Sequence, residues 1–326
     1  MKKKIDDNKN EVFVPKKQLS LFGYSHYFET FVKLLNKKKL PNSILLNGPK
    51  GLGKSTFVYH FINYLLSHNG EYKYSLDNFK INLNDKNYKL ICSNLHPNFF
   101  LIDNNFQDEK IKIEQMRSLL KFLSKTSYSK NLKIVMLDNS ENLNINAANT
   151  LLKVLEEPSE NTFFFLIHDN ASPILDTIKS RCIEFRIFFT QKEKIKIFEL
   201  IKEDKKLNFN SNGFDSILNF ETPGRLLRYL SIINDEKVDL TKNKLSLISY
   251  LLELYKVEKN SDILNMASLF IESFYNELSS KHSENLPEYF NNRQKILNQI
   301  DNMKKFNLDK KLLVSSLQNI LQNEKR

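Results

Sequence analysis

The sequence predicts an α/β fold, a parallel sheet with helices on both faces, followed by an all-helical C-terminal part. Between residues 18 and 187, short apolar runs alternate with stretches of helical periodicity, a pattern typical of a parallel sheet. From about residue 190 onward, strand signals are scarce and long amphipathic helices dominate. A chain of 326 residues is also long for one hydrophobic core, so we expect more than one domain.

We interpret residues 1–17, which are polar and charged, as a flexible tail. Residues 67–95 are rich in Asn, Lys and Tyr, and we predict that they form an excursion from the core. The apolar runs predict strands at 43–47, 99–103, 132–138, 162–167 and 182–186. Helical periodicity predicts helices at 25–39, 56–66, 113–123, 144–156 and 173–179.

The composition excludes several classes of protein. A hydrophobic fraction of 41% and an aromatic fraction of 12% fit a globular protein. No apolar stretch approaches the ~18 residues of a membrane span, and the first residues lack the apolar segment of a signal peptide. We therefore expect a cytoplasmic protein with no membrane partner. The two cysteines, Cys92 and Cys182, provide neither a disulfide framework nor a four-cysteine zinc site.

The formal net charge of +11 has two explanations. A basic surface attracts nucleic acid in a salt-dependent way. Nearly all of the basic charge is lysine, however, and the chain is also rich in Asn, Ile and Phe, which indicates a compositional bias. Base and phosphate contacts usually rely on arginine, and arginine occurs only at 117, 181, 186, 225, 228, 293 and 326. We therefore expect any direct contact with DNA to be minor.

A glycine-rich loop follows the first predicted strand and precedes a predicted helix. Three of the seven glycines fall within six residues of this loop, in the pattern G-x-x-x-x-G-K-[ST]. In this context the pattern is a phosphate-binding loop (P-loop), whose backbone amides and helix N-terminus hold a polyphosphate. Lys54 is expected to reach the β- and γ-phosphates, and Ser55 to ligate Mg²⁺. The predicted nucleotide-binding residues here are Gly48, Pro49, Lys50, Gly51, Leu52, Gly53, Lys54, Ser55 and Thr56.

Asp138 is the predicted acidic partner of the P-loop. A carboxylate at the end of a neighbouring strand would hold Mg²⁺, and the apolar run 132–137 ends in Asp138. The next residue is Asn139, whose amide cannot take a proton and so cannot act as a general base. Glu141 follows two residues later, but strand alternation gives no reason for its side chain to face the same point.

Two segments carry a resemblance to a known family. They are the helix at 146–158, N-A-A-N-T-L-L-K-V-L-E-E-P, and the triplet Ser180-Arg181-Cys182. Together they resemble the clamp-loader branch of AAA+ proteins, and within it the family of bacterial DNA polymerase III delta-prime subunits. The segment Thr222-Pro223-Gly224-Arg225 is similar to the Gly-Arg lid element of that family. The resemblance covers most of the chain and is weakest at 1–17 and 67–95.

The resemblance implies three domains after the tail, namely a RecA-like AAA+ domain (18–187), a helical lid (188–242) and a helical collar (243–326). It implies ATP or ADP with Mg²⁺ as the ligand of the P-loop, with Ser55 and Asp138 at the metal and Arg225 of the lid at the nucleotide. Arg181 matches the family's arginine finger, which reaches the γ-phosphate of ATP held by an adjacent subunit.

The chain also departs from the active members of this family. They usually have Glu where this chain has Asn139, and motor subunits tend to have Thr in the region that here is His168-Asp169-Asn170. The excursion at 67–95 contains only Cys92, where many relatives carry a four-cysteine zinc module, so we expect no zinc. These differences indicate a subunit that binds nucleotide weakly or without turnover.

The sequence therefore predicts a delta-prime-like stator of a clamp loader, with Arg181 as its catalytic contribution in trans. The implied partners are the motor subunits and the delta subunit, the sliding clamp through the assembled ring, and primed DNA indirectly. One alternative is an active ATPase motor that uses Glu141 as the base. A remote alternative is a P-loop kinase-type enzyme, which leaves the segments at 146–158 and 180–182 unexplained.

Overall fold

The chain forms two compact units, of which the first ends at Lys205 and the second begins at Lys206. The computed structural model describes residues 14–67, 70–103, 110–124, 132–159, 161–207, 217–218, 220–233, 244–258, 261–281, 283–306 and 309–323. The predicted tail at 1–17 lies almost entirely outside these residues. The predicted domain boundaries after residues 187 and 242 stay predictions.

The first unit contains a five-stranded parallel sheet, which confirms the predicted fold class. Its strands are β1 (Ser43–Gly48), β2 (Phe99–Ile102), β3 (Lys133–Leu137), β4 (Thr162–Asp169) and β5 (Ile183–Arg186). Their order across the sheet is β2-β3-β4-β1-β5, so that β1 lies between β4 and the edge strand β5. The strands β1, β3 and β4 are almost wholly buried, as expected for parallel strands covered on both faces.

Helices cover both faces of the sheet. They are α1 (Ser25–Asn36), α2 (Lys54–Ser67), α3 (Lys86–Cys92), α4 (Ile113–Ser124), α5 (Ile145–Glu156), α6 (Asp176–Lys179) and α7 (Gln191–Asp204). Neighbouring residues of β4 belong to different cores: Phe165 packs with the aromatic residues of α1 and α2, whereas Phe164 packs with α4 and α5. This alternation follows from the two-residue period of a strand. It divides the apolar residues of the unit into one core on each face.

Several helix ends differ from the sequence prediction. Helix α1 ends at Asn36 rather than at residue 39, because Lys38 adopts a left-handed conformation with φ of 54°. The predicted helix at 173–179 is shortened to the single turn α6. The excursion at 67–95 contains a helix of its own, α3, which begins at the N-cap Asp85, whose side chain accepts a hydrogen bond from the Asn87 amide.

Among its described residues, the second unit contains helices and turns but no strand, as predicted. Its helices are α8 (Pro223–Ile233), α9 (Lys244–Glu258), α10 (Ser261–Lys281), α11 (Leu286–Phe306) and α12 (Lys310–Asn323). Consecutive helices from α9 to α12 pack against one another, and α12 also returns to α9, which closes a bundle. In the described ranges of both units, no helix combines the length and the apolar character that crossing a membrane requires.

Candidate functional site

The P-loop has the backbone geometry that its glycines permit. Gly51 and Gly53 have φ of 84° and 89°, in the left-handed region that L-residues rarely adopt. Gly48 ends β1, where a Cβ atom would stand 2.5 Å from the carbonyl oxygen of Ile187. Helix α2 begins at Lys54, so its N-terminus faces the loop, as the sequence predicted.

Lys54 is the buried cation of this loop. Its side chain is 5% exposed, and its Nζ donates hydrogen bonds to the carbonyl oxygens of Gly48 (2.5 Å) and Pro49 (2.7 Å). Burial lowers the pKa of the Lys54 ammonium to about 8, against the raising effect of the Asp169, Asp138 and Glu141 carboxylates. The side chain is therefore mostly charged at neutral pH and stands where it can exchange the two carbonyls for phosphate oxygens.

Ser55, at the start of α2, contacts Asp138 although β1 and β3, the strands that lead to them, are not neighbours in the sheet. Asp138 follows β3, which is separated from β1 by β4, yet the Ser55 hydroxyl donates a 2.7 Å hydrogen bond to Asp138 Oδ2. Burial raises the pKa of Asp138 to about 6, while the hydrogen bond from Ser55 lowers it. A hydroxyl and a carboxylate side by side at a P-loop are the oxygen donors that Mg²⁺ prefers, so these residues fit the predicted metal.

Asn139 is held in place beside Asp138. Its backbone is left-handed, with φ of 56°, a conformation that asparagine adopts more readily than most residues. Its backbone N–H donates to Asp138 Oδ1 (3.0 Å), and its side-chain amide donates to Asp103 Oδ1 (3.2 Å). The residue thus orders the carboxylates at the ends of β2 and β3, and it offers no group that accepts a proton.

Glu141 lies nearer to the P-loop than the strand pattern gave reason to expect. It belongs to a short 3-10 turn after β3, and its Oε2 accepts a 3.2 Å hydrogen bond from the backbone N–H of Asp169. The same oxygen lies 3.6 Å from Nδ1 of His168, whose Nε2 donates to the carbonyl oxygen of Ser172 (3.1 Å). Burial raises the pKa of Glu141, but the neighbouring His168 and the hydrogen bond from the Asp169 N–H lower it by more, so the net shift is downward. An ionised carboxylate held in this way is a weak base.

Arg181 lies towards the amino ends of the strands, whereas the P-loop lies at their carboxyl ends. Ile183, the first residue of β5, is level with Ile44, and Gly48 is four residues farther along β1, or about 13 Å away. Arg181 precedes β5 by two residues, at the end of the strand away from the P-loop. Its guanidinium donates to Glu156 Oε1 (3.0 Å from Nε) and to the carbonyl oxygen of Thr177 (2.9 Å from Nη1). The side chain is 31% exposed and makes no contribution to the P-loop of its own chain.

The remaining predicted residues fall into three groups. Pro49 and Lys50 are exposed, whereas Thr56 is half-buried in the first turn of α2. Leu52 is buried, and its carbonyl oxygen accepts a 3.2 Å hydrogen bond from the Tyr24 hydroxyl. Arg225 belongs to the second unit, where its Nη2 donates to the Tyr229 hydroxyl (2.7 Å), so its contact with nucleotide stays a prediction.

Tyr24 is a residue that sequence reasoning missed. It is fully buried, and its ring stacks on Phe57 of α2 with the ring centroids 5.0 Å apart. Because its hydroxyl also donates to the carbonyl oxygen of Leu52, Tyr24 connects the P-loop to the core that contains Phe57. In the sequence, Tyr24 is marked by the glycine that precedes it. In the structure this Gly23 has φ of 79° and turns the chain towards α1.

The cysteines do not form a metal centre in the described part of the chain. The Cys92 thiol donates to the carbonyl oxygen of Lys16 (3.3 Å), and Cys182 is buried in the core beneath α5. Within the described ranges no group of three or more His, Cys, Asp or Glu side chains is placed to hold a metal ion.

Proteins of one known family are similar to this chain in sequence. The sequence model of a family described as DNA polymerase III, delta subunit, matches residues 23–190. The chain is 34% identical to the DNA polymerase III subunit delta' of Pseudomonas aeruginosa over 143 residues, 44% of this chain and 42% of that protein. It is 29% identical to the subunit delta' of Buchnera aphidicola subsp. Schizaphis graminum over 218 residues, 66% of this chain and 63% of that protein.

A third relative, the subunit delta' of Bacillus subtilis, is 37% identical over 97 residues, 30% of this chain and 29% of that protein. The chain thus matches less than two thirds of the length of these relatives. The resemblance predicted from the segments at 146–158 and 180–182 is confirmed. Since the family model matches 168 of the 326 residues, the chain belongs to the DNA polymerase III, delta subunit, family.

Proposed function

We propose that this protein is a delta-prime-like stator of a bacterial clamp loader. In this role it assembles with motor subunits and a delta subunit through its helical C-terminal part, and the ring places a sliding clamp on primed DNA in the cytoplasm. The chain supplies Arg181 to ATP bound by a neighbouring subunit, and its own P-loop binds ATP or ADP with Mg²⁺ weakly or without turnover.

The placement of Arg181 is the observation that carries this proposal. Arg181 precedes β5, whose first residue is about 13 Å from the level of Gly48 along the strands, so it lies away from the P-loop of its own chain. We infer that it serves a nucleotide brought by another molecule. Because Glu156, its ion-pair partner, is half exposed, the Arg181 side chain can leave that carboxylate for a phosphate without uncovering a buried charge.

The residues of the P-loop support binding more than turnover. Lys54 would neutralise phosphate charge, and Ser55 with Asp138 would hold Mg²⁺, which stabilises the charge of bound phosphates. Asn139 follows Asp138 and cannot take a proton from water. Glu141, the alternative base, already accepts a hydrogen bond from the Asp169 backbone. Binding without efficient hydrolysis is what these groups favour.

The test is the ATPase rate of the reconstituted clamp loader containing Arg181→Ala. An arginine finger contributes roughly 10³–10⁵ in rate, so turnover at the neighbouring site should fall at least a hundredfold. Arg181→Lys should have little more turnover than Arg181→Ala, because an ammonium lacks the planar set of donors with which a guanidinium binds phosphate. Arg117→Ala, at an exposed arginine of α4, is the matched control and should leave turnover unchanged. Unchanged turnover with Arg181→Ala in a ring of normal composition contradicts the proposal.

A further inference from the structure

Asp169, the last residue of β4, lies beside the P-loop. It pairs across the parallel ladder with Gly48, the last residue of β1. Adjacent strands are about 4.8 Å apart, so the two Cα atoms are close neighbours. The Gly48 carbonyl oxygen accepts a hydrogen bond from Lys54 Nζ (2.5 Å) and a longer one from the Asn170 N–H (3.4 Å). Asp169 and the Lys54 ammonium therefore lie together at the carboxyl ends of β1 and β4, which form one corner of the sheet.

The Asp169 side chain is fixed in this corner by its own turn. Its Oδ1 accepts a 3.2 Å hydrogen bond from the Ala171 N–H, while its backbone N–H donates to Glu141 Oε2. Asp138 stands at the end of β3, the other neighbour of β4 in the sheet. The carboxylates of Asp169, Asp138 and Glu141 all act on the charge of Lys54. Three negative groups thus converge on one buried cation.

A nucleotide in a P-loop has a defined polarity. The loop amides enclose the β-phosphate, and the lysine extends to the γ-phosphate, which lies outside the carboxyl ends of the strands. In this chain that position adjoins Asp169 and Glu141, at the end of β4. A triphosphate brings one more negative charge than a diphosphate, and it brings that charge to the corner where the carboxylates converge.

We propose that Asp169 makes this P-loop selective for a nucleoside diphosphate by repelling the γ-phosphate of a triphosphate. The inference rests on the part of the proposed function in which the loop binds nucleotide. It adds that the bound species is the diphosphate, with Lys54 at the β-phosphate and the Asp169 carboxylate occupying the side on which the γ-phosphate would lie.

The experiment is equilibrium binding of ADP and of ATP, each with excess Mg²⁺, to the full chain. The wild-type protein should bind ADP about tenfold more tightly than ATP, since one like charge at close range in a partly buried site is worth at least that factor. In Asp169→Asn, which keeps the shape and removes the charge, ATP affinity should rise and the ratio should fall to about one to three. Lys54→Ala should weaken the binding of both nucleotides. Asp77→Asn, at an exposed aspartate outside the sheet, should keep the wild-type ratio.

Several results overturn the inference. Equal affinities in the wild-type protein, or tighter binding of ATP, contradict it without any variant. A loss of ATP affinity in Asp169→Asn shows that the carboxylate attracts Mg²⁺ rather than repelling phosphate. Failure of the wild-type protein to bind either nucleotide also overturns it, yet leaves the role of Arg181 intact, because that role is measured at the neighbouring subunit's site. Conversely, a diphosphate preference stands even if Arg181→Ala has no effect on the ring.

Discussion

The Ser55 hydroxyl donates a 2.7 Å hydrogen bond to the Asp138 carboxylate, which joins the first turn of α2 to the end of β3. The bond passes the end of β4, the strand between them. Asp138 is half-buried, and burial disfavours its charge more than the hydrogen bonds from Ser55 and the Asn139 N–H and the Lys54 charge favour it. The pair therefore keeps the predicted metal ligand Asp138 in place at a cost to the stability of the folded chain.

We expect Asp138→Asn to stabilise the nucleotide-free protein. Burial raises the pKa of Asp138 from 3.8 to about 6, so the ionised form is disfavoured in the folded state. The penalty is fully present above pH 6 and disappears as the pH falls towards 4. Removing the charge should raise the free energy of unfolding at pH 7.5 by about 1–3 kcal/mol. Urea denaturation of wild type and variant at pH 7.5 and pH 4.5 measures the free energy of unfolding at each pH. A variant that is less stable than wild type at pH 7.5 contradicts the argument.

His60 should make the stability of the protein fall in mild acid. The side chain is fully buried in α2, its Nε2 donates to the carbonyl oxygen of Gln18 (3.1 Å), and its Nδ1 accepts from the Tyr74 hydroxyl (3.0 Å). Burial lowers the pKa of His60 from 6.5 to about 3, so the unfolded chain binds a proton in this window and the folded chain does not. Stability contributed by the neutral imidazole is complete above pH 6.5 and is lost as the pH falls towards 3.

Between pH 7 and pH 5 this single group should lower the free energy of unfolding by about 2 kcal/mol. The measurement compares wild type with His60→Gln at both pH values, and the stability difference between the two proteins should shrink by that amount in acid. His26→Gln, at an exposed histidine of α1, is the control, and its difference from wild type should not change. A constant difference for His60→Gln means that the imidazole is not neutral in the folded state.

Tyr24→Phe should destabilise the protein and weaken nucleotide binding together. The substitution keeps the ring that stacks on Phe57 but removes the hydroxyl that bonds the carbonyl oxygen of Leu52. Loss of one buried hydrogen bond costs about 1 kcal/mol. The matched control is Tyr27→Phe, because the Tyr27 hydroxyl makes long contacts of 3.3–3.4 Å with the backbone of Arg186 and Phe188, outside the loop. Thermal unfolding and ADP binding are the two measurements, and equal effects of the two substitutions contradict a special role for Tyr24.

The parts of the site that the sequence predicted are those encoded within a few residues. The P-loop follows from glycine spacing between an apolar run and a helical one, and the carboxylate after an apolar run predicted Asp138. Short-range patterns also predicted the parallel sheet, because the central residues of its buried strands are apolar. In these segments the residue types alone determine which local structure is predicted.

The parts that the sequence did not predict depend on contacts between distant segments. Glu141 approaches the P-loop because the left-handed Asn139 redirects the chain after β3 and because the Asp169 N–H meets its carboxylate from β4. Tyr24 supports Leu52 from a position 28 residues away. No periodicity in the sequence predicts these contacts, because they depend on how distant segments are arranged in the folded chain.

Glu141→Gln separates the stator from an active motor. In the structure the Glu141 carboxylate accepts the Asp169 N–H at 3.2 Å and lies 3.6 Å from His168 Nδ1, so its role is to fix the end of β4. Glutamine keeps an oxygen for the Asp169 N–H and loses the charge. We expect the isolated chain to show no ATP turnover above background either before or after the substitution, and the variant to lose about 1 kcal/mol of stability as the charged partner of the hydrogen bond disappears. The rate is measured on the purified full chain with saturating ATP and Mg²⁺, beside a Lys54→Ala preparation that reports any contaminating ATPase. Robust turnover that disappears in both Glu141→Gln and Lys54→Ala would instead identify Glu141 as the general base of a motor, because an amide cannot take the proton of the attacking water.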